Sequence, residues 1–129
     1  MALSEFTVST GERLECVDVT DRVSESVVDG ISGTATVFSQ HTTCGITVNE
    51  AEGRLLGDVE DFLADVVPDT GWAHDEIDDN ADSHLRATLI GPDVTIPVVD
   101  GELQLGNWQS VLLVECDGPR TRTVTVTTD

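Results

Sequence analysis

Apolar residues recur along this chain with two different periods, and the order in which those periods follow one another restricts the fold more than any other feature. Leu55, Leu56, Val59, Phe62, Leu63 and Val66 fall at helical spacing, and Pro68 closes that segment. Asn49 with Glu52 gives it a capping-box opening, Asn standing for the usual Ser or Thr. A shorter helix is capped by Thr20 or Asp21, carries Val23, Val27 and Val28, and ends at Gly30. Another follows Asn80 or Asp82, carries Leu85 and Leu89, and stops at Gly91-Pro92. The remaining segments read as strands. Phe6 and Val8 alternate with polar residues, and Thr10-Gly11 turns the chain toward Leu14 and Cys16. Thr34 to Phe38 is β-branched, Ile46 to Val48 is extended, and Thr and Val alternate from Thr123 to Thr127. Val94 to Val99 contains Pro97, which marks an edge or a bulge, and Asp100-Gly101 then signals a hairpin. Val111 to Val114 is a continuous apolar run, a candidate central strand. Strands and helices do not alternate regularly. The order predicts an α+β domain, a mostly antiparallel sheet packed with two or three helices, and not a doubly wound parallel sheet.

With 129 residues and no internal repeat or linker, one domain spanning 1–129 is expected. Aromatics are 4% and Tyr is absent, so the core must be built from Val, Leu, Ile and Ala. The charge balance is extreme: 25 acidic residues face six basic ones, all Arg, for a formal charge of −19. The acids are scattered among periodic apolar segments, which argues against a disordered acidic tail. Such a chain repels itself in dilute buffer and is relieved by salt. It suits concentrated salt, as in the cytoplasm of a halophilic archaeon. The same balance disfavours nucleic acid, whose phosphates need clustered cations. The N-terminal residues lack basic and apolar stretches, and no run is long enough to cross a membrane; cytoplasm is the expected location. Cys16, Cys44 and Cys116 are odd in number and imply no disulfide framework.

The three histidines, His41, His74 and His84, all lie in polar, turn-like contexts. Three imidazoles can serve as acid and base near pH 7, or fill three positions of a tetrahedral Zn²⁺ and leave one open. Their spacing matches no metal motif, and three exposed or hydrogen-bonded histidines is the plain alternative. Thr42 and Thr43 beside His41 offer hydroxyls to an anion, or are ordinary strand residues. Glu50 is expected in the first turn of a helix, where its charge suits the dipole. The acidic run Asp75 to Asp82 is solvated surface or a hard-cation site. Trp108 and Gln109, beside Gly106, suit stacking on a ligand, the core or a subunit boundary. Arg120 follows the turn Asp117-Gly118-Pro119 and suits a bidentate phosphate clamp or a salt bridge. Cys44 reads as a buried small residue rather than a nucleophile.

In order and spacing, several of these segments together resemble the YjbQ family, also labelled secondary thiamine-phosphate synthase. They are Gln40-His41-Thr42-Thr43, Asn49-Glu50, Asp58, His74-Asp75, Asp79 to Leu85, and Gly91. The rest are Ile96-Pro97-Val98, Gly101, Leu105 to Gln109, Glu115 and Asp117 to Arg120. The resemblance covers nearly the whole chain. It implies a compact α+β subunit in a homotrimer, with a pocket holding His41, His74 and His84 and a divalent metal, Zn or, with a diphosphate substrate, Mg. It also implies thiamine-phosphate synthesis from an aminopyrimidine diphosphate and a thiazole phosphate. On that scheme His41, Glu50 and His84 are catalytic, and Thr42, Thr43, Trp108, Gln109 and Arg120 bind substrate. Asp82 stands where some relatives carry a further His, so a carboxylate could join or replace an imidazole. Cys44-Gly45 replaces the small residues usual there. The alternatives are a non-catalytic trimer that binds a metal or an anionic metabolite, and a metal-assisted hydrolase.

The charge balance has a direct thermal consequence. Raising KCl from about 0.1 M to about 1 M shortens the screening length from about 10 Å to about 3 Å. The unfolding midpoint followed by circular dichroism is expected to rise with it; a midpoint that falls would remove self-repulsion as the governing term.

Overall fold

Two antiparallel sheets follow from the period-two segments in the computed structural model, which describes residues 1–129. The larger has the spatial order β1 (Ala2–Ser9), β8 (Thr121–Thr128), β3 (Gly33–Ser39), β5 (Asp93–Val99) and β6 (Glu102–Leu103). The smaller places β7 (Ser110–Glu115) between β2 (Glu15–Asp18) and β4 (Cys44–Asn49). The apolar run at Val111 is therefore central, as expected, and all four of its residues are buried. The fold is α+β, with α1 (Thr20–Ser26), α2 (Gly53–Val66) and α3 (Ala81–Ile90), and one 3-10 turn at Ala73–Glu76 between α2 and α3.

The main core joins both sheets. Phe6, Val8, Val37, Ile96, Val124 and Val126 of the larger sheet share it with Cys44, Ile46, Val111 and Leu113 of the smaller one and with Val19 and Val23 of the α1 segment. The opposite face of the smaller sheet is covered by helices: Cys16, Val114 and Cys116 pack with Leu56, Val59 and Leu63 of α2 and Ile90 of α3. β7 is thus buried on both faces, which is why it reads as continuous rather than alternating. Pro97 sits in β5 opposite Thr34. Thr34 spends both its backbone groups on Asp129, so the Thr34–Pro97 pair needs no hydrogen bond and the missing proline N–H breaks no ladder there. Asp100 and Gly101 both adopt positive φ (50° and 80°), as the expected tight hairpin requires.

Several cap assignments differ from expectation. Asn49 ends β4, and Glu52 is the true cap of α2, its carboxylate accepting the N–H of Arg54 and of Leu55 (2.9 Å). Glu50 therefore precedes the helix instead of lying in its first turn. The short helix begins after Val19, and Thr20 is tied elsewhere: its Oγ1 accepts the N–H of Val111 and donates to Asp18. Asp82 neither caps α3 nor faces a ligand. It is fully buried and holds Arg13 (2.9 Å) and Arg86, whose guanidinium also reaches the carbonyls of Leu63 and Val67 at the end of α2. An ion chain Asp69–Arg86–Asp82–Arg13–Asp117–Arg120 thereby runs from the end of α2 to the β7–β8 turn.

Among the glycines that close approach requires, two shape this end of the fold. A Cβ at Gly45 would lie 2.6 Å from Ile90 and 2.7 Å from the Gly91 oxygen, so α3 ends directly on β4. A Cβ at Gly118 would lie 2.1 Å from the Glu12 oxygen and 2.8 Å from Glu115, so the β7–β8 turn can pack against the β1–β2 loop only there.

Removing one member of a buried ion pair leaves an uncompensated charge, which costs about 3–5 kcal/mol. Asp82→Ala is expected to lower the unfolding free energy in urea by that amount; a loss below about 1 kcal/mol would mean that Asp69 and the backbone carbonyls suffice for Arg86.

Candidate active site

One end of the sandwich gathers most of the chain's chemistry. There β3 ends, β4 begins, and β7 turns into β8, so the β3–β4 loop carrying His41, Thr42 and Thr43 meets the β7–β8 turn and the first turn of α3. A backbone and a side-chain contact secure the junction: the Cys116 N–H donates to the Thr43 carbonyl at 3.1 Å, and the Ser39 hydroxyl lies 3.0 Å from the Cys44 sulfur. Two cavities share His41, Thr42 and His84 as walls. One, of about 400 Å³, is polar throughout and adds Gln40, Thr43, Arg120 and Arg122 with Asp78, Asn80 and Asp117. The other, of about 500 Å³, adds Cys44, Ala87, Thr88, Gly91 and Pro92. A third, of about 380 Å³, lies on the other side of His84 and is lined by Trp72, Ala73, His74, Ala81 and Leu85. His84 is thus the residue common to all three.

The histidines meet in pairs. His41 and His84 share the first two cavities, while the rings of His74 and His84 stand edge to face with centroids 4.9 Å apart. His41 Nε2 accepts the backbone N–H of Thr123 at 2.8 Å. A neutral His41 therefore carries its proton on Nδ1 and has no free lone pair for a metal. His74 Nε2 is buried without a partner. No group of three His, Cys, Asp or Glu side chains lies close enough to hold a metal ion. As a three-imidazole zinc centre these residues do not fit, because the nitrogen that would bind is already committed at His41.

The arginine missed by sequence reading is the best built. Arg122 is 3% exposed and forms a pair with Glu115, which is 0% exposed. Arg122 Nε donates to Glu115 at 2.9 Å, and Nη2 donates to Glu115 and to the Thr43 carbonyl and hydroxyl. Burial alone would raise the Glu115 pKa, but the bonds from Arg122, the Asp117 N–H and Thr10 hold it below the usual carboxylate range. The signal for Arg122 was its register: it precedes Val124 and Val126 by even steps, so it faces the core with them. Arg120 is half exposed and donates to the Asp117 carbonyl (2.9 Å) and carboxylate (3.0 Å), a carboxylate that also accepts from Asn80 (3.0 Å). Of the two readings of Arg120, the salt bridge is the one present, and it sits at the rim of the polar cavity. Burial pushes the Cys44 thiol up, so it is no thiolate nucleophile.

Glu50, Trp108 and Gln109 are not brought to this cavity. β4 and β7 run antiparallel, with Cys44 opposite Glu115 at the histidine end and Asn49 opposite Ser110 at the other. Those three residues lie at or beyond that far end, roughly 17 Å away at 3.4 Å per residue. Glu50 and Trp108 line a separate hollow with Asp18 and Glu52, and Trp108 is 75% exposed; Gln109 Oε1 accepts the Gly106 N–H at 2.8 Å.

The family model for the UPF0047 protein YjbQ-like group matches residues 4–128. The chain belongs to the YjbQ family. A UPF0047 protein of Archaeoglobus fulgidus is 46% identical over 123 residues, covering 95% of this chain and 97% of that one. One from Methanothermobacter thermautotrophicus is 46% identical over 125 residues, covering 95% and 87%. Among solved structures, a hypothetical protein of Aeropyrum pernix K1 superposes with TM-score 0.94 at 46% identity over 98% and 97% of the two chains. A YbjQ-like protein of unknown function from Sulfolobus solfataricus P2 gives 0.84 at 38% identity over 97% and 94%. The YjbQ fold expected from the sequence is thereby shown. No helix is long and apolar enough to cross a membrane.

His41 titrates below its ordinary value of about 6.5, first because it is partly buried and second because Arg122 repels its charged form. The neutral form is favoured on folding. The stability it contributes is therefore complete above the unfolded value and is lost as pH falls through the folded one. Imidazole resonances followed by NMR should show His41 titrating at lower pH than in an unfolded peptide; a value at or above about 6.5 would contradict the Thr123 bond.

Proposed function

We propose that this YjbQ-family chain is an enzyme acting on small phosphorylated molecules, with His41 and His84 as its acid–base pair. The carrying observation is that these two imidazoles wall two cavities at once, one of them also lined by Arg120 and Arg122. A ligand can then place its phosphate in the polar cavity and its body against Ala87 and Pro92, with the reacting bond between the rings. His41 offers an N–H from Nδ1. The His84 ring makes no hydrogen bond to the protein and is free to accept a proton. In a thiamine-phosphate-type condensation the thiazole nitrogen bonds to the pyrimidine's methylene carbon as that carbon's bond to the departing diphosphate oxygen breaks, and arginine and the His41 N–H neutralise the charge that develops on the leaving group. Of the six cations in a chain whose net charge is −19, Arg13, Arg86, Arg120 and Arg122 belong to the ion networks around this end.

This reading routes no step through a metal. The non-catalytic alternative, capture of a metal ion or an anionic metabolite, draws support from the unpartnered His74 Nε2 beside His84. We also carry the homotrimer as a proposal, read by light scattering. Exposed Phe62, Val66 and Leu89 are apolar surface for a neighbour to cover, and Glu50, Trp108 and Gln109 would reach a histidine cavity only from another subunit.

Purified protein in high salt, given the aminopyrimidine diphosphate and the thiazole phosphate, is expected to form thiamine phosphate, and His41→Ala to lower the rate at least about 100-fold. Rates in both proteins should be unchanged by a chelator. Product that survives His41→Ala would assign the chemistry elsewhere, and activity lost with chelator would restore a metal to the mechanism.

A further inference from the structure

Three donors in the polar cavity are left over after the protein's own hydrogen bonds are counted. Arg122 uses Nε and Nη2 on Glu115 and Thr43, and Nη1 has no protein partner although the residue is 3% exposed and lines the cavity. The Thr43 hydroxyl accepts from Arg122 at 2.8 Å, so its own proton remains to be donated. His41 accepts at Nε2 from Thr123 and keeps its N–H at Nδ1. Each donor is fixed by a different partner, namely Glu115, Arg122 and the β8 backbone. Arg122 Nη1 and His41 Nδ1–H cannot accept, and the Thr43 hydroxyl already spends one lone pair on Arg122. The Asp117 carboxylate in the same wall is already engaged by Arg120, Asn80 and Arg13, which leaves Asp78 as the acidic group that no arginine neutralises.

We infer that Arg122, Thr43 and His41 form a preorganised oxyanion seat that takes the tetrahedral phosphate of the ligand, with Glu115 as the residue that positions Arg122. This rests on the reading of the cavity as a phosphorylated-ligand site and assigns its anchor. Arg120, the cation more evident in the sequence, is secondary because it is half exposed and screened. A buried guanidinium already aimed and held loses little freedom on binding, whereas an exposed one must be ordered. The ligand class that satisfies donors alone is a phosphate monoester or the terminal phosphate of a diphosphate. An ammonium, which only donates, does not satisfy them, and a neutral alcohol offers one oxygen to three donors.

Inorganic phosphate and pyrophosphate are the probes, titrated calorimetrically into the full chain in the salt that keeps it folded. Arg122→Ala alone would strand Glu115, so the double variant Glu115→Gln/Arg122→Gln removes both buried charges together. It is expected to bind pyrophosphate at least about tenfold more weakly, with Arg120→Ala losing less than about threefold. Thr43→Val, which leaves the ion pair in place, gives a second measurement should the double variant fail to fold. It is expected to lose about threefold or more. Pyrophosphate bound as tightly by Thr43→Val and the double variant as by the parent, with Arg120→Ala abolishing it, would overturn the inference and leave the phosphorylated-ligand reading standing. A parent chain that binds neither anion would overturn both.

Discussion

The buried pair Arg122–Glu115 is the contact on which the histidine end of this molecule depends. Taking both charges out of water is unfavourable, and their attraction offsets that only when the remaining donor and acceptor positions are also satisfied. Here they are. Glu115 accepts further from the Thr10 hydroxyl (2.7 Å) and the Asp117 N–H (3.0 Å), while Arg122 holds Thr43. Four chain segments meet at one ion pair: the end of β1, the β3–β4 loop, β7 and β8. The loop that carries His41 is thus held from below by charge and from the side by the Thr123 N–H, and neither bond involves a ligand.

A second network explains where so few cations go in so acidic a chain. Arg86, Asp82 and Arg13 link the end of α2 to α3 and to the β1–β2 loop, and through Asp117 they reach Arg120. Arg86 is spent wholly on the protein, whereas Arg122 leaves one nitrogen without a protein partner in the wall of the polar cavity. Acids elsewhere face water, where salt screens them. Arginine donors at the cavity draw a small anion inward only over short range, since the long-range field of the chain repels it. Local, directional donors therefore matter more here than net charge.

Much of the fold was legible in the sequence because its signals are local. The helix through Leu55 to Val66, the central strand at Val111 and the Asp100-Gly101 hairpin all follow from periodicity and turn chemistry, whereas Pro97 marks neither an edge strand nor a bulge, since β5 pairs with β3 and β6. Caps were less legible. Asn49 and Glu52 are both competent cap residues, and only pairing of Asn49 with Ser110 at the end of β4 excluded the first. The site was half legible. His41, Thr42, Thr43, His84 and Arg120 do share a cavity. Asp82, expected near a ligand, went to Arg13 and Arg86 because burial gave it no water and two guanidiniums gave it partners.

By itself the sequence determined which residues alternate, which segments coil, that the core would be aliphatic, and that the few cations would have to be used sparingly. These are properties of neighbours along the chain. Only the tertiary structure decided that Arg122 meets Glu115 and Thr43, that Thr123 takes His41 Nε2, and that Trp108 ends up at the far end of the sheet from the imidazoles. Those outcomes depend on strand order and register, which bring together groups up to 82 positions apart in the case of His41 and Thr123. Side-chain period along one strand specifies a face, but it carries no information about which other strand lies beside it.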